Sequence, residues 1–366
     1  MADEAKKTRK HAGVGNVTGR QRVTMHDIAR VAGCSQPTVS LVLNNNETVK
    51  ISSETKARVH EAARELGYSS STQSSKIRVL SRSSLANDGT IAFVVDQLST
   101  SPEMVNAFSG VRQAIRETGN LVLLAETQNN AETEPKTLRF FLDQNVAAII
   151  YATVFTRRVD VPDILRQTRS PVFLLNCFSD DLSFPAVIPA EVAGGHTATN
   201  ALIKAGHQRI ATITGEPFME CAMGRTTGYR NALASADIPF DADLVVEGNW
   251  LPSSGYAATK DLMALPAPPT AIFCQNDRMA IGCYEALKEM GLVIPSDVSV
   301  IGFDDDETAR HLSPPLSSMI LPTRAMGRWV IEQFFHGPAE GQRHPLVKLE
   351  CELVERDSIA APTSSA

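Results

Sequence analysis

The stretch Arg22–Asn46 reads RVTMHDIARVAGCSQPTVSLVLNNN and carries the start and stop signals of two short helices. Thr24 is a preferred N-cap residue for the first helix. Gly33 supplies the stop, because glycine readily adopts the left-handed conformation that ends many helices. Ser35 then caps a second helix, whose first turn tolerates Pro37 because N–H groups there lack an intrahelical partner. The stretch therefore predicts two helices joined by a glycine turn.

A third helix is predicted in ISSETKARVHEAARELGY, residues 51–68. In all three helices small apolar residues recur at helical spacing, which predicts a shared core of Ile28, Ala29, Ala32, Val39, Val42, Leu43, Val59, Ala62, Ala63 and Leu66. Two short helices braced by a third form a helix-turn-helix, whose second helix fits the DNA major groove. A helical pair without a role in DNA binding is the alternative.

Charge is divided unevenly along the chain. Residues 1–82 hold 14 Lys or Arg against 7 Asp or Glu, a net of +7, so the remaining residues carry −13 of the total of −6. A basic head on an acidic body is typical of a polyanion-binding module attached to a larger domain. A solvated basic tail is the alternative for Lys6, Lys7, Arg9 and Lys10.

Composition excludes several classes of protein. No stretch approaches the roughly 20 apolar residues of a membrane-spanning helix, and the polar first 20 residues predict no secretory signal. The six cysteines form no CxxC pair, and five of them lie in apolar or small-residue stretches; the six are Cys34, Cys177, Cys221, Cys274, Cys283 and Cys351. We therefore expect buried, reduced thiols in a cytoplasmic protein, with no metal site and no cofactor.

From Thr90 onward, apolar runs alternate with amphipathic helical stretches. TIAFVVD, LVLLAE, AAIIYA and PVFLLN form a first set, and RIATIT, DLVVEG, AIFCQN and VSVIGFDD form a second. Nearly continuous apolar strands alternating with helices predict parallel sheets that are covered on both faces. Two such sets predict two doubly wound α/β lobes, with a ligand site in the cleft between them.

The predicted organisation has five parts: a basic tail over 1–21, a helix-turn-helix domain over 22–68, a linker over 69–89, a two-lobed core over 90–358 and a tail over 359–366. The first lobe takes 90–190 and a return segment over 320–358, and the second takes 191–319. The linker is rich in serine and threonine, which are poor helix formers. A flexible tether and a hinge that orders on DNA both remain open for it.

TMHDIARVAGCSQPTVSLVLN resembles the signature of the lactose-repressor (LacI/GalR) family of bacterial transcription regulators at more than a dozen spaced positions. Four further phrases, GHQRIATITG, GRTTGYRNAL, NDRMAIGCYEAL and VSVIGFDDDETARHLSPPLSSM, are similar to recurrent phrases of that family and occur in the same order. The resemblance covers nearly all of residues 22–357. It implies an all-α helix-turn-helix domain joined to an α/β core like that of a periplasmic sugar-binding protein.

The resemblance also implies which residues contact DNA. Gln36 and Pro37 would read bases, and Ile77 in the linker would wedge into the minor groove. Polar residues would hold phosphates and fix the register on the duplex: Thr24, Ser35, Thr38, Ser40, Asn44 and Thr55. Leu41 departs from the usual arginine, so we predict a weaker guanine preference there, which a binding-site selection with Leu41→Arg tests.

In the core, the resemblance implies an effector site between the lobes. Arg225 would hold hydroxyl or carboxylate oxygens, because its guanidinium donates two hydrogen bonds at once. Trp250 would stack on the apolar face of a sugar, although a role as lobe core is the alternative. Strand ends would supply the remaining ligand contacts: Asp96, Asn176, Asn276 and Asp304. The first cleft loop, QLSTSPEMVNAF, differs from the N-P-F-F of many family members, so the effector stays unidentified.

The predicted function is that of a homodimeric repressor. It would bind a pseudo-palindromic operator in double-stranded DNA under the control of a small polar effector, a sugar or sugar derivative. The final stretch LVERDSIAAPTSSA holds no heptad helix, which favours a dimer over a tetramer. The alternative is a solute-binding protein of the periplasmic type without a regulatory role. An enzyme is the third class, but GVGNVTG at 13–19 has no preceding strand, and the sequence holds no clear nucleophile–base signature.

Overall fold

The computed structural model describes residues 25–34, 38–39, 42, 52–65, 89–98, 102–337, 344 and 346–363. Residues 69–88 of the linker lie outside these ranges, as do eight of the predicted DNA contacts: Thr24, Ser35, Gln36, Pro37, Ser40, Leu41, Asn44 and Ile77. The chain forms two compact units that divide after Ser81. Among the described helices, none has both the length and the apolar character needed to cross a bilayer.

The first unit has the predicted helical core. Helices α1 (Met25–Ala32) and α2 (Ser53–Glu65) flank a stretch in which residues 38, 39 and 42 are helical. Gly33 follows α1 with φ +61°, the left-handed conformation predicted for the turn. Apolar residues from all three segments are buried together: Ile28, Ala29, Ala32, Val39, Val42, Val59, Ala62 and Ala63. Leu43 and Leu66, predicted to join them, lie outside the described residues.

The first lobe of the second unit is a parallel six-stranded sheet. Its strands are β1 (Thr90–Val95), β2 (Leu121–Glu126), β3 (Ala148–Arg158), β4 (Val172–Phe178), β5 (Ala186–Pro189) and β11 (Leu346–Leu349). The order across the sheet is β11-β5-β4-β3-β1-β2. Four helices belong to this lobe: α3 (Glu103–Ala114), α4 (Thr133–Asp143), α5 (Asp163–Arg166) and α10 (Thr323–His336). The strands predicted here from apolar runs are all present.

The second lobe repeats this strand order. Its sheet runs β12-β10-β9-β8-β6-β7, with strands β6 (Ile210–Thr214), β7 (Val245–Glu247), β8 (Ala271–Cys274), β9 (Ser299–Asp304), β10 (Ser317–Ile320) and β12 (Leu353–Val354). Its helices are α6 (Glu191–Lys204), α7 (Glu220–Ser235), α8 (Pro252–Met263) and α9 (Asp277–Glu289), with 3₁₀ turns at Ala242–Leu244 and Glu307–His311. All pairings are parallel except β10 with β12.

The return to the first lobe is shorter than the predicted 320–358. It comprises α10 and β11, after which β12 pairs antiparallel with β10 on the edge of the second sheet. Beyond β12, the Ser358 hydroxyl donates to the Val300 carbonyl at 2.6 Å, and the Ala360 N–H donates to the Ser299 hydroxyl at 3.1 Å. These bonds and the pairing of β12 make residues 353–363 part of the second lobe rather than a return segment followed by a tail. By pairing with β10, β12 also covers a strand that would otherwise be an open edge of the sheet.

Three segments connect the lobes, at Ala190, at residues 321–322 and at residues 350–352. The first and third are tied by the Ala190 N–H, which donates to the Leu349 carbonyl at 2.8 Å. In sheets of this strand order, a ligand binds outside the carboxyl ends of the strands, where the order reverses. That point lies between β1 and β3 in the first lobe and between β6 and β8 in the second.

Candidate ligand-binding site

A cavity of about 450 Å³ lies at these strand ends, with walls from both lobes. Five of the six predicted effector contacts line it: Asn176, Arg225, Trp250, Asn276 and Asp304. They come from β4, α7, the loop before α8, the start of α9 and the end of β9. The volume falls in the range of small-molecule sites, and the strand order accounts for the meeting of residues far apart in sequence.

Arg225 is the buried centre of the site. Its Nε donates to Glu191 Oε2 at 2.7 Å, and its Nη1 donates to the Gln275 carbonyl and lies 3.7 Å from Asp304 Oδ1. The guanidinium carbon lies 3.6 Å from the centroid of the Phe303 ring. Burial lowers the pKa of the guanidinium, but the charges of Glu191 and Asp304 outweigh it, so the net shift is upward. The cation is held by protein groups, in addition to any ligand contact.

Asp304 ends β9 beside this cation. Its φ of +113° is rare for an L-residue, and such backbone strain is concentrated at functional sites. Burial raises the pKa of its carboxyl well above the usual value, Arg225 opposes that shift, and Glu103 adds to it. The carboxyl is therefore held in a region where a second nearby negative charge is unfavourable.

Trp250 is at once lobe core and cavity wall. The ring packs in the core of the second lobe, and its Nε1 donates to Met219 Sδ at 3.2 Å. Its centroid lies 5.5 Å from that of Phe155, which comes from the first lobe. A side chain on Gly215 would collide with the indole, so glycine is needed at that position. The interpretation as lobe core is confirmed, stacking on a sugar stays a prediction, and the aromatic contact crosses the cleft.

Asn176 and Asn276 are tied to the backbone around the cavity. Asn276 caps α9 by accepting from the Met279 N–H at 2.8 Å, and its amide donates to the Trp250 carbonyl at 3.1 Å. Asn176 donates to the carbonyls of Thr153 and Val154, both at 3.0 Å. Both side chains fix the cavity walls, so their predicted contact with an effector would be added to a structural task.

Asp96 lies behind the cavity wall rather than among the residues that line it. Its Oδ1 accepts from the Val154 N–H at 2.8 Å, and its Oδ2 lies 3.1 Å from Arg157 Nη2. Burial raises the pKa of this carboxyl, against the effect of the Val154 hydrogen bond and of Arg157. The predicted effector contact is corrected: Asp96 positions β3, because its carboxylate is engaged by the backbone and by Arg157.

The sequence did not single out three acidic residues and a hydroxyl that line the site. Glu103 opens α3 within the divergent loop QLSTSPEMVNAF, and Glu216 follows β6. Glu191 accepts from the Thr156 hydroxyl at 2.9 Å and reaches Arg225, 34 positions away in sequence. The first-turn position of Glu103 was the available signal. The partnership of Glu191 with Arg225 requires the folded chain, because no local pattern links them.

In the first unit, Thr38 and Thr55 are the predicted DNA contacts within the described residues. Thr55 lies near the N-terminus of α2, where its N–H donates to the Ser52 hydroxyl at 3.2 Å. The two hydroxyls are 2.9 Å apart. A helix N-terminus favours an anion such as phosphate. Thr38 is half-buried in the helical stretch. The phosphate contacts of both residues stay predictions.

Comparison with known proteins identifies the family. The family model "Bacterial regulatory proteins, lacI family" matches residues 24–71, and "Periplasmic binding protein-like domain" matches residues 199–359. The HTH-type transcriptional regulator AscG of Escherichia coli (strain K12) is 33% identical over 343 residues, which cover 93% of this chain and 99% of AscG. The chain belongs to the lacI family of bacterial regulatory proteins. The resemblance and the fold class predicted from the sequence are confirmed.

Solved structures of lacI-family proteins share this fold. The transcriptional regulator CelR–cellobiose complex superposes with a TM-score of 0.63 at 29% identity, covering 92% of this chain and all of that one. The lac repressor dimer bound to operator and the anti-inducer ONPF gives a TM-score of 0.64 at 26% identity, covering 93% and 100%. These lacI-family relatives are named as transcription regulators rather than as enzymes.

Proposed function

We propose that this lacI-family protein is a transcriptional repressor that binds operator DNA through its first unit. A small polar solute of the sugar class, bound between the lobes of the second unit, would control that affinity. The observation that carries the proposal is the cavity itself, where polar groups converge at the strand ends of both lobes. We propose neither catalytic chemistry nor a cofactor for this site, and we place the protein in the cytoplasm.

Carbohydrate recognition fits the lining of the cavity. Sugar-binding sites combine an aromatic face with amides and carboxylates that bond hydroxyl groups, and Trp250, Asn276 and Asp304 supply these groups here. The cellobiose in the related CelR complex supports the same class of ligand. Asn176 on the opposite wall allows a ligand to contact both lobes at once.

Ligand binding can alter lobe closure because several contacts cross the cleft. The Thr156 hydroxyl lies 2.9 Å from Glu191 Oε1, and the Arg158 N–H donates to Glu220 Oε1 at 3.1 Å. A solute that bonds both walls adds to these contacts and favours one closure. The solute can shift the equilibrium between free and operator-bound protein only by the difference between its affinities for the two arrangements of the lobes.

For DNA binding, we propose that residues 22–68 form the recognition domain and that 69–89 link it to the core. The net charge of +7 over residues 1–82 supports this. The related lac repressor structure is a dimer on operator, and we propose a homodimer for this chain also. Leu121 and Leu123 on the edge strand β2 and Phe140 on α4 are exposed, an apolar surface available to a second copy. Such a dimer reads half-sites roughly 34–36 Å apart or a multiple of that distance.

A two-stage experiment tests the proposal. Full-length protein is first used to select binding sites from random double-stranded DNA. A metabolite library is then screened for solutes that raise Tm, since a ligand of the folded state raises apparent stability. The expected result is a pseudo-palindromic site, together with a solute that changes operator Kd. No preference for any sequence over random competitor, with or without the library, would contradict a regulator and favour a simple solute-binding protein.

Asp304→Asn tests the effector site with little change in shape, because it keeps the size of the side chain and removes the negative charge from the cavity. We expect the variant to keep operator affinity and to lose most of its response to the solute. Loss of operator binding in the absence of solute would instead mean that Asp304 maintains the fold.

A further inference from the structure

We propose that the cavity discriminates by charge, so that its effector donates hydroxyl or ammonium hydrogen bonds to Glu103 and Glu216 and carries no phosphate or carboxylate group. The inference rests on the proposed role of the cavity as the effector site. It narrows the effector from polar solutes in general to neutral or cationic ones. It also assigns the selectivity to two residues that come from different lobes.

The charges around the cavity are unbalanced. Four carboxylate side chains line it, Glu103, Glu191, Glu216 and Asp304, against two guanidinium groups, Arg225 and Arg278. An anionic solute would bring further negative charge into a low-dielectric site that already has an excess of carboxylates. A solute rich in donors would instead meet acceptors.

Arg225 is poorly placed to act as an anion clamp. Two of its nitrogens donate to the Glu191 carboxylate, and the third donates to the Gln275 carbonyl and lies beside Asp304. The flat face of the guanidinium is covered by Phe303. Binding a carboxylate or phosphate bidentately would require Arg225 to release a buried carboxylate, which is costly. The cation therefore neutralises protein carboxylates rather than a ligand.

Glu103 and Glu216 differ from Arg225, because each has a carboxylate oxygen that can still accept a hydrogen bond from a ligand. Oε2 of each side chain is buried and accepts no hydrogen bond from the described residues. A buried carboxylate oxygen without a donor is unfavourable, and a ligand hydroxyl or ammonium group supplies that donor. Glu103 opens α3 in the first lobe and Glu216 follows β6 in the second, so one ligand that bonds both would link the lobes.

The ionisation of the lining residues agrees with this arrangement. Burial raises the pKa of Glu103, the charge of Asp306 raises it further, and Arg225 opposes the shift. Burial likewise raises the pKa of Asp304. Both carboxyls therefore already resist ionisation, and a bound anion would add to that cost, whereas a donor or cation would relieve it.

A matched series of sugars tests the charge discrimination in the full-length protein. Glucose, galactose and ribose are each titrated calorimetrically beside the 2-amino-2-deoxy sugar and the sugar phosphate of the same scaffold. For any scaffold that binds, the amine and the free sugar should bind at least about tenfold more tightly than the phosphate, as expected for one unscreened like-charge contact. A phosphate that binds as tightly as the free sugar would overturn the inference and leave the proposed function standing.

A series in which nothing binds, repeated with the metabolite library and giving no rise in Tm, would overturn the proposed effector site and the inference together. The residue assignment has its own test. Glu103→Gln and Glu216→Gln should each shrink the ratio between phosphate and free-sugar affinities by about threefold or more. Glu247→Gln, an exposed change in the same lobe as Glu216 and outside the cavity lining, should leave that ratio unchanged. An unchanged ratio in both lining variants contradicts the assignment.

Discussion

The first lobe presents amides, hydroxyls and Glu103 to the cavity, whereas the second presents Arg225, Trp250 and Asp304. The two sheets nevertheless share one strand order, 2-1-3-4-5 with an added edge strand. The shared order decides where the two walls meet, because it sets the point at which a crevice opens. The residues placed at the strand ends decide what each wall can bind. Fold and chemistry are thus specified by different parts of the sequence.

Ion pairs also differ in burial, both between and within the two lobes. In the first, the ion pairs Arg158–Asp180 and Arg166–Asp181 lie on the surface. In the second, Arg225 and Glu191 are almost completely buried, with side-chain exposures of 5% and 7%. Buried pairs depend on both partners, since removing one leaves the other charged and unsolvated. A substitution in the buried Arg225–Glu191 pair should therefore cost more than one in a surface pair.

The largest effect is expected for Arg225→Ala. The change leaves Glu191 and Asp304 buried without their cation, so we expect the free energy of unfolding to fall by about 3–5 kcal/mol, the usual cost of breaking a buried pair. Urea unfolding measures it. Adding Glu191→Gln to the variant should recover part of the loss, because the orphaned charge is removed. A loss below about 1 kcal/mol for Arg225→Ala would mean that water reaches this site freely.

Asp277 in the second lobe should make the free energy of unfolding depend on pH. Burial raises the pKa of this carboxyl to about 8 from 3.8, against hydrogen bonds from Ser318 and the Asp306 N–H. Between these two values the folded chain binds the proton and the unfolded chain releases it. The contribution of Asp277 to stability is therefore present at low pH and is lost as pH rises, by up to about 1.4 kcal/mol per pH unit.

Asp277→Asn should remove that slope, and unfolding free energies measured across the same pH window would show it. Other carboxyls with a raised pKa, such as Asp304, make stability change with pH in the same direction. The difference in slope between wild type and variant therefore isolates the contribution of Asp277. Asp261→Asn, an exposed change in the same lobe, is the control. Equal slopes for wild type and Asp277→Asn would show that the carboxylate stays ionised in the folded state.

Sequence patterns predicted most of the fold. Apolar runs located eight of the strands, since strands buried on both faces read as continuous hydrophobic segments. They missed β5, β10, β11 and β12, which have four residues or fewer. The return segment was placed too long for the same reason: two residues, Leu353 and Val354, hold too little pattern to show which sheet they join.

The sequence likewise predicted some residues of the site and missed others. Arg225, Asn276 and Asp304 could be found because they stand in phrases similar to those of the family, and Trp250 because the resemblance implies an aromatic ring there. Glu191 could not, since its role depends on a partner 34 residues away. Asp96 met the strand-end criterion but turned toward the backbone of β3. A strand end specifies a neighbourhood, and the direction of the side chain depends on tertiary hydrogen bonds.

A moderate effect is expected at Asn176 in the first lobe. The ladder between β3 and β4 is interrupted between Ala152 and Arg157, and Asn176 donates to two carbonyls in that interval. Asn176→Ala leaves both without this donor, so we expect a loss of about 1–3 kcal/mol in urea unfolding. Because φ is +60° there, Asn176→Gly should remove the same bonds with less backbone strain. If the glycine variant is the less stable of the two, strain is not significant at this site.

The smallest effect is expected for Arg158→Ala. Its guanidinium lies 3.1 Å from Asp180 Oδ2, but the two side chains are 61% and 73% exposed. Exposed pairs contribute about 0–1 kcal/mol, because water solvates both charges and ordering two long side chains costs entropy. The N–H that bonds Glu220 belongs to the backbone and is retained in the variant. Urea unfolding at low and high salt measures the pair, and a salt-insensitive loss as large as that of Arg225→Ala would mean that position in a lobe, rather than burial, decides what an ion pair contributes.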